Sequence, residues 1–227
     1  MTLLAVCGLQ REARLVSGPE VAAAVGGGRR SVLEAALRDV APPEAVASIG
    51  LAGALDASLR PGDWVIATEV VGEDVAWPTD ARWTAAVMSR LRPRAHGRLL
   101  GADAMLVAAS EKASARHRWA ALAVDMESHL AARAAARFGV PFVAIRVISD
   151  AAGDDLPPAV RVGLNPDGSM ALGPVLSALA RDPRQLPALI RTGRNADLAF
   201  RALADARRLL GPRIGLPDLP KHPLDVG

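Results

Sequence analysis

Three acidic residues stand where strand-like runs end. Glu12 follows Leu3–Cys7, Glu127 directly follows Ala121–Met126, and Asp150 follows Phe142–Ile148 with Ser149 between. In an open α/β sheet, ligands bind outside the carboxyl ends of the strands. Carboxylates delivered there can grip a small polar substrate and move a proton. Each also has a plainer reading: Asp150 as a turn or N-cap aspartate, Glu127 as an acid favoured by the helix dipole, and Glu12 as the solvated start of a QRE helix. Arg146 lies four positions before Asp150, inside an apolar run. A guanidinium there is costly unless paired, and on a regular strand it shares a side with Asp150. Its expected task is to hold Glu127 or another carboxylate in place.

Two glycine loops accompany these residues. Gly26-Gly27-Gly28 lies between a strand and a helix, with Arg29 and Arg30 adjoining, which suits an anion at a helix N-terminus. It lacks the third glycine of a dinucleotide fingerprint, so NAD is excluded. The second loop is Gly50-Leu51-Ala52-Gly53. His96, His117, His129 and His222 stand alone, and no HExxH, CxxC or Gly-x-Ser-x-Gly pattern occurs. No metal, no bound cofactor and no serine nucleophile are therefore expected. His129 is read as structural.

The elements that must position these groups follow from periodicity. Strands are predicted at Leu3–Cys7, Val21–Val25, Val46–Gly50, Asp63–Val70, Met105–Ala108, Ala121–Met126 and Phe142–Ile148. Helices are predicted at Gln10–Val16, Arg29–Val40, Ala81–Leu91, Ser128–Phe138 and Pro174–Ala180. Arg60-Pro61-Gly62-Asp63 and Asn165-Pro166-Asp167-Gly168 read as turns. The alternation predicts a three-layer α/β/α fold with a central mixed sheet over residues 1–180, and a basic helical extension over 181–227. In that extension, Gln185–Arg191 and Asn195–Leu210 are helical. Ala199, Phe200, Leu203, Ala206 and Leu210 fall at helical spacing, with Arg201, Arg207 and Arg208 for another face. Two readings stay open there: a helix packed on the domain, or a basic amphipathic element that leans on an anionic membrane or helps cover a lipid substrate.

The chain has 227 residues, 51% of them hydrophobic, enough for one α/β domain with a full core. No apolar run approaches the ~18 residues of a membrane span. MTLLAVCGL runs into a strand pattern without a basic lead, so no secretory leader is expected. One cysteine, Cys7, excludes an internal disulfide and fits a reducing compartment. The expected location is the cytoplasm, with peripheral contact at the inner face of the membrane under the second reading of the tail. The pI is near 9.9, but net charge is only +3 and 25 of 27 basic residues are arginine, Lys112 and Lys221 being the exceptions. No basic run interleaves with aromatic residues, so nucleic acid is not the expected partner.

Val-Asp-Met-Glu at Val124–Glu127, a small-residue helix, Val-Pro-Phe and Arg-x-x-Ser-Asp resemble the purine nucleoside phosphorylase and methylthioadenosine/adenosylhomocysteine nucleosidase superfamily. CGLQREAR at Cys7–Arg14, VGGGRR at Val25–Arg30, SIGLAGALDASLRPGD at Ser48–Asp63, VDMESHLAAR at Val124–Arg133 and RQLPALIRT in the tail are similar to the hopanoid-associated phosphorylases. That resemblance implies release of adenine from adenosylhopane, through an oxocarbenium-like sugar as in glycoside hydrolysis. It implies that Asp150, oriented by Ser149, protonates N7 of adenine, which requires burial or a neighbouring negative charge to keep its proton near neutral pH. Glu127 would accept hydrogen bonds from the ribose hydroxyls, with Met126 as an apolar face beside it. Glu12 would position water. Arg11, with Gly27, Gly28 and Arg29, would hold inorganic phosphate if that is the co-substrate. The Gly50–Gly53 loop, including Ala52 and Gly53, would lie under sugar and base, and Met105 would take the place of an aromatic that stacks on the purine. Phosphorylases usually carry serine at the Leu51 position and often arginine at the Ser48 position, so phosphorolysis and hydrolysis both stay open. Two alternatives remain: the same chemistry on a soluble nucleoside such as methylthioadenosine, and a non-catalytic nucleoside-binding protein. A homo-oligomer is implied by the assembly of relatives.

Overall fold

The computed structural model describes residues 2–72, 75–160, 165, 169 and 171–218. Among these residues eight strands and seven α-helices follow in the order β1 (Leu3–Cys7), α1 (Gln10–Val16), β2 (Val21–Val25), α2 (Arg30–Arg38), β3 (Ala45–Ala54), β4 (Trp64–Val71), β5 (Ala76–Pro78), α3 (Ala81–Leu91), β6 (Ala95–Gly101), α4 (Ala109–Trp119), β7 (Ala123–Asp125), α5 (Ser128–Phe138), β8 (Phe142–Asp150), α6 (Leu172–Arg181) and α7 (Leu186–Leu210). The sheet is mixed. Its pairing runs β2-β1-β3-β7-β6-β4-β5, and β8 pairs with both β3 and β4. Strands β3, β8, β4, β6 and β7 thus close a ring of hydrogen-bonded neighbours, with β1 and β2 extending from β3.

Alternation along the strands divides the core in two, as period two requires. Leu3, Ala5 and Cys7 of β1 face one cluster with Ala13 and Val16 of α1, Trp83 and Val87 of α3, and the second half of α7. Leu4 and Val6 face the other, with Leu33 and Leu37 of α2 and the alanine-rich α5. Both faces of these strands are covered, which is why LLAVC is apolar throughout.

Most predicted elements appear at or near their expected bounds. Met105–Ala108 does not: it is the connection into α4, and its place in the sheet is taken by β6, which the sequence reading passed over. AHGRLLG puts glycine and two polar residues in a half-exposed first stretch, so the apolar signal of a strand is weak there. Helix α4 was passed over because its exposed face is almost wholly polar, with Lys112 its buried residue. The two helical segments expected in the tail are one helix of 25 residues. Ala199, Phe200, Leu203, Ala206 and Leu210 are buried in the core on α7, and the Trp83 indole donates to the Ile214 carbonyl beyond it at 2.9 Å. Of the Asn165–Gly168 turn, residues 166–168 lie outside the described residues, as do Lys221 and His222.

Candidate active site

A pocket of about 480 Å³ opens at the carboxyl ends of β1, β3, β7 and β8. Glu12, Ala52, Gly53, Met105, Met126, Glu127, Ser149 and Asp150 all line it, together with Gly28 of the triple-glycine loop. The structure thus brings the three expected carboxylates to one cavity, though they come from positions up to 138 residues apart in the chain.

Glu12 stands in the first turn of α1 and is 2% exposed. Its Oε2 accepts from the backbone N–H groups of Gly8 and Leu9, both at 2.8 Å, closing the helix start as a capping glutamate does. Its Oε1 accepts from Leu51 N–H at 2.8 Å, which ties α1 to the Gly50–Gly53 loop. The plain and the chemical readings of Glu12 therefore coincide in one geometry. Burial raises its pKa, while Arg146 and these three N–H groups oppose the rise.

Glu127 lies two residues beyond β7, at the N-cap of α5. Burial pushes its carboxyl up to about 8, with Arg146 opposing and Asp125 and Glu12 adding to the rise. Arg146, fully buried, is the counterweight. Its Nε donates to Asp125 Oδ2 at 3.0 Å, and its Nη2 donates to Ser48 Oγ at 2.5 Å and Ser128 Oγ at 3.0 Å. Nη2 stands 4.0 Å from Glu127 Oε2. Arg146 thus holds Asp125 directly and Glu127 at longer range, behind the pocket wall. Asp125 was not singled out from the sequence. Its Oδ1 accepts from the N–H groups of Glu127 and Ser128 at 2.8 and 2.7 Å, and its Oδ2 accepts from Ser128 Oγ. It caps α5 and anchors Arg146 at once, and an aspartate three residues before a helical serine was the available signal.

A close approach explains one glycine. A β-carbon on Gly50 would lie 2.6 Å from Glu12 Oε1 and 2.8 Å from Arg146 Nη1, so only glycine lets the two charged groups meet over β3. Nη1 is buried without a hydrogen-bond partner in the protein.

Asp150 ends β8 beside a bulge: Ala52 pairs with Ile148 but Gly53 pairs with Asp150, leaving Ser149 extra. The expectation that Arg146 and Asp150 share a side rested on a regular strand, and the bulge removes that basis. Ser149 Oγ donates to Asp150 Oδ1 at 2.8 Å, as the sequence reading expected of an orienting hydroxyl. The other oxygen accepts from Lys112 Nζ of α4 at 2.5 Å. Lys112 was missed. Its signal was rarity, as one of two lysines among 27 basic residues.

Several expected groups stand elsewhere. The Arg11 guanidinium stacks 4.0 Å above the Phe200 ring and pairs with Asp197 at 3.4 Å, binding α1 to α7 on the surface. Gly27 donates to the Gly8 carbonyl, and Arg29 leads into α2; neither lines the pocket. His129 pairs through Nε2 with Asp103 at 3.0 Å and borders a different cavity. The wall opposite the carboxylates is apolar and comes from α6 and α7, through Val175, Leu189, Gly193, Ala196 and Phe200, a contribution the sequence reading did not assign. Among the described residues, no group of three or more His, Cys, Asp or Glu side chains is placed to hold a metal ion.

The chain resembles proteins of known structure across most of its length. A 5′-methylthioadenosine/S-adenosylhomocysteine nucleosidase from Neisseria meningitidis, in complex with methylthio-immucillin-A, superposes with a TM-score of 0.65 at 19% identity, over 89% of this chain and 95% of that one. The S-adenosylhomocysteine nucleosidase from Streptococcus pyogenes, in complex with 5-methylthiotubericidin, gives 0.61 at 16% identity, over 90% and 97%. These likenesses concern the fold. In sequence, the 5′-methylthioadenosine/S-adenosylhomocysteine nucleosidase of Halalkalibacterium halodurans is 32% identical over 133 residues. That stretch spans 49% of this chain and 58% of the relative. The model of the phosphorylase superfamily matches residues 4–162, which include Glu12, Glu127, Arg146, Asp150 and the loops between them, and on that match the chain belongs to the phosphorylase superfamily.

Proposed function

We propose that this protein cleaves the N-glycosidic bond of an adenine nucleoside, with Asp150 giving a proton to the departing base and Glu127 holding the ribose. The observation that carries this reading is the convergence of Asp150, Glu127 and Glu12 on one pocket, with Ser149 already bonded to Asp150. The nucleosidase relatives support adenine as the base. Bond breaking leaves positive charge on the sugar and negative charge on the purine, so an acid at the base and carboxylates at the sugar oppose both.

Water is the favoured acceptor over phosphate. No arginine or lysine lines the pocket among the described residues, and Arg11 is turned to α7. The Leu51 N–H, in the loop where a phosphate would sit by resemblance, is taken by Glu12. Glu12 then orients the water that attacks the anomeric carbon.

The substrate is a nucleoside with a large apolar 5′ substituent, adenosylhopane being the one the sequence resemblance indicates. Supporting this are the apolar α6–α7 wall and the exposed Leu176, Leu186 and Ile190 on those helices, adjoining lining residues Val175 and Leu189. No helix among the described residues is long and apolar enough to cross a membrane. The second reading, methylthioadenosine as substrate, is favoured by the Halalkalibacterium relative.

The test is adenine release from adenosylhopane in detergent and from methylthioadenosine in buffer, each with and without phosphate. Faster phosphate-independent release from the lipid supports the reading in full. Release that needs phosphate overturns water as acceptor, and preference for methylthioadenosine overturns the lipid.

A further inference from the structure

Lysine is almost never fully buried unless paired, because its ammonium gives up strong hydration. Lys112 on α4 is 0% exposed. Its three N–H donors meet three acceptors: Asp150 Oδ2 at 2.5 Å, and the carbonyls of Ala151 and Asp154, each at 3.0 Å. That number matches an ammonium and satisfies it completely. The second Asp150 oxygen accepts from Ser149. The Ser149 hydroxyl has one hydrogen and also reaches the Ala52 carbonyl at 3.2 Å, whereas Lys112 donates to Oδ2 outright. With the ammonium in place that oxygen carries no hydrogen, and the acid role requires one on the carboxyl. The nearest source is Lys112 itself.

We propose that Lys112 is a positioning residue that also stores the proton Asp150 passes to the purine, an inference that rests on Asp150 being the acid. When a nucleoside fills the pocket and displaces water, a Lys112 N–H bond breaks and an Asp150 O–H bond forms. A desolvated ion pair becomes a neutral amine beside a neutral acid, the cheaper arrangement in an apolar site. As the glycosidic bond breaks, its electron pair goes to the purine. The Asp150 O–H bond then breaks and an N–H bond forms on the base. Lys112, left as an amine still donating to two carbonyls, regains a proton from solvent once the products leave. The water that joins the sugar loses one proton as its C–O bond forms, so the proton Lys112 takes from solvent is returned and, with water as the second reactant, none is consumed overall.

The charged groups around Lys112 come from three elements. Glu111 lies on its own helix and accepts from Val107 and Ala108 N–H. Asp154 and Asp155 lie in the loop after β8, where Asp155 accepts from Ala109 N–H. Arg191 of α7 stands 3.7 Å from Asp154. Of these side chains, Asp150 is the one bonded to the ammonium.

The experiment follows adenine release from adenosylhopane in detergent and from methylthioadenosine in buffer, from mildly acid to mildly alkaline pH, for wild type, Asp150→Asn, Lys112→Met and Lys112→Gln. Gln keeps a side-chain donor for the loop carbonyls where Met could fail to fold, and circular dichroism checks both. Asp150→Asn is expected to be slow at every pH. The lysine variants are expected to approach wild-type kcat on the acid side, where solvent supplies the proton. On the alkaline side they fall at least about tenfold, within the 10²–10⁴-fold usual for a general acid, at little changed KM. Lysine variants whose profiles run parallel to wild type, with Asp150→Asn slow, would reduce Lys112 to a prop and overturn this inference alone. An Asp150→Asn variant at wild-type rate would instead remove Asp150 as the acid. A wild type that releases adenine from neither probe would take the nucleosidase reading and the inference together.

Discussion

The two walls of the pocket are built on opposite principles. The carboxylate wall is rigid and charged: Glu12, Asp125, Arg146, Ser48 and Ser128 are buried and bonded to one another or to backbone. The α6–α7 wall is apolar, contributed by two helices whose outer faces carry five of the six large hydrophobic side chains exposed among the described residues. Buried polar networks admit few alternative arrangements, since an unsatisfied member is expensive. Apolar surfaces accept any shape of about the right size. The first wall suits a fixed reaction and the second a variable substituent, so chemistry and selectivity should respond to different substitutions.

The largest effect expected is on chemistry. Asp150→Asn should lower kcat by about 10²–10⁴-fold. It also leaves the buried Lys112 ammonium with an amide in place of its carboxylate, so a stability loss of up to about 3–5 kcal/mol accompanies it, and the rates are compared where circular dichroism shows both proteins folded. Parallel assays on lipid and soluble nucleosides should show the same loss, and a loss confined to one substrate would join the two walls into one. Next comes Arg146→Met. It leaves Asp125 buried without its cation, for a destabilisation of about 3–5 kcal/mol read by denaturant unfolding. A shift below about 1 kcal/mol would mean that the serines and the α5 N-terminus alone hold Asp125.

How legible each wall was in the sequence follows from the same contrast. The carboxylates stand at strand exits, and strands β1, β7 and β8 announce themselves by apolar runs, so Glu12, Glu127 and Asp150 could be placed together before any coordinates. Arg146 was visible as a charge inside such a run. Lys112 was not, because it sits in a helix whose other residues read as solvent-facing, and its burial depends on a loop 40 residues away in sequence. The α7 wall was half legible. Ala199, Phe200, Leu203, Ala206 and Leu210 showed the helix period and do face the core. The residues turned to the pocket, Leu189, Gly193 and Ala196, lie on the preceding turns, and nothing local distinguishes a lining position from a packing one. Closure of the sheet through β8 was equally hidden, since pairing partners are a property of the whole chain. Because α7 supplies core, removing residues from 195 onward would strip the domain, and selectivity must be tested by single substitutions.

Gly193→Leu is that substitution. It places a branched side chain on the pocket face of α7, where a β-carbon meets nothing within 4 Å. Loss of room in an apolar pocket changes discrimination by about 1–3 kcal/mol, or roughly 10–200-fold. We expect kcat/KM for a nucleoside with a bulky apolar substituent to fall by that amount, and that for methylthioadenosine to change less than about threefold. Equal losses on both would show that the base or ribose, not the substituent, lies against α7.

The smallest effect separates the walls by pH. Burial raises the Glu127 carboxyl to about 8 in the folded protein, against an ordinary value of 4.5, with Arg146 opposing the rise. A carboxyl whose folded pKa is raised contributes stability that is fully present below the unfolded value and is lost as pH rises through the folded one. Between those two values the folded form binds more protons than the unfolded chain, so stability should decline by up to about 1.4 kcal/mol per pH unit from this group. Glu127→Gln cannot titrate, so its thermal midpoint should decline less steeply across that window, with the gap to wild type changing in the variant's favour as pH rises. Arg146 stays paired with Asp125 in the variant, so its charge is not newly orphaned. Parallel curves for the two proteins would mean that Arg146 keeps Glu127 ionised when folded. The carboxylate wall would then enter catalysis already charged, ready to accept the ribose hydroxyls without first losing a proton.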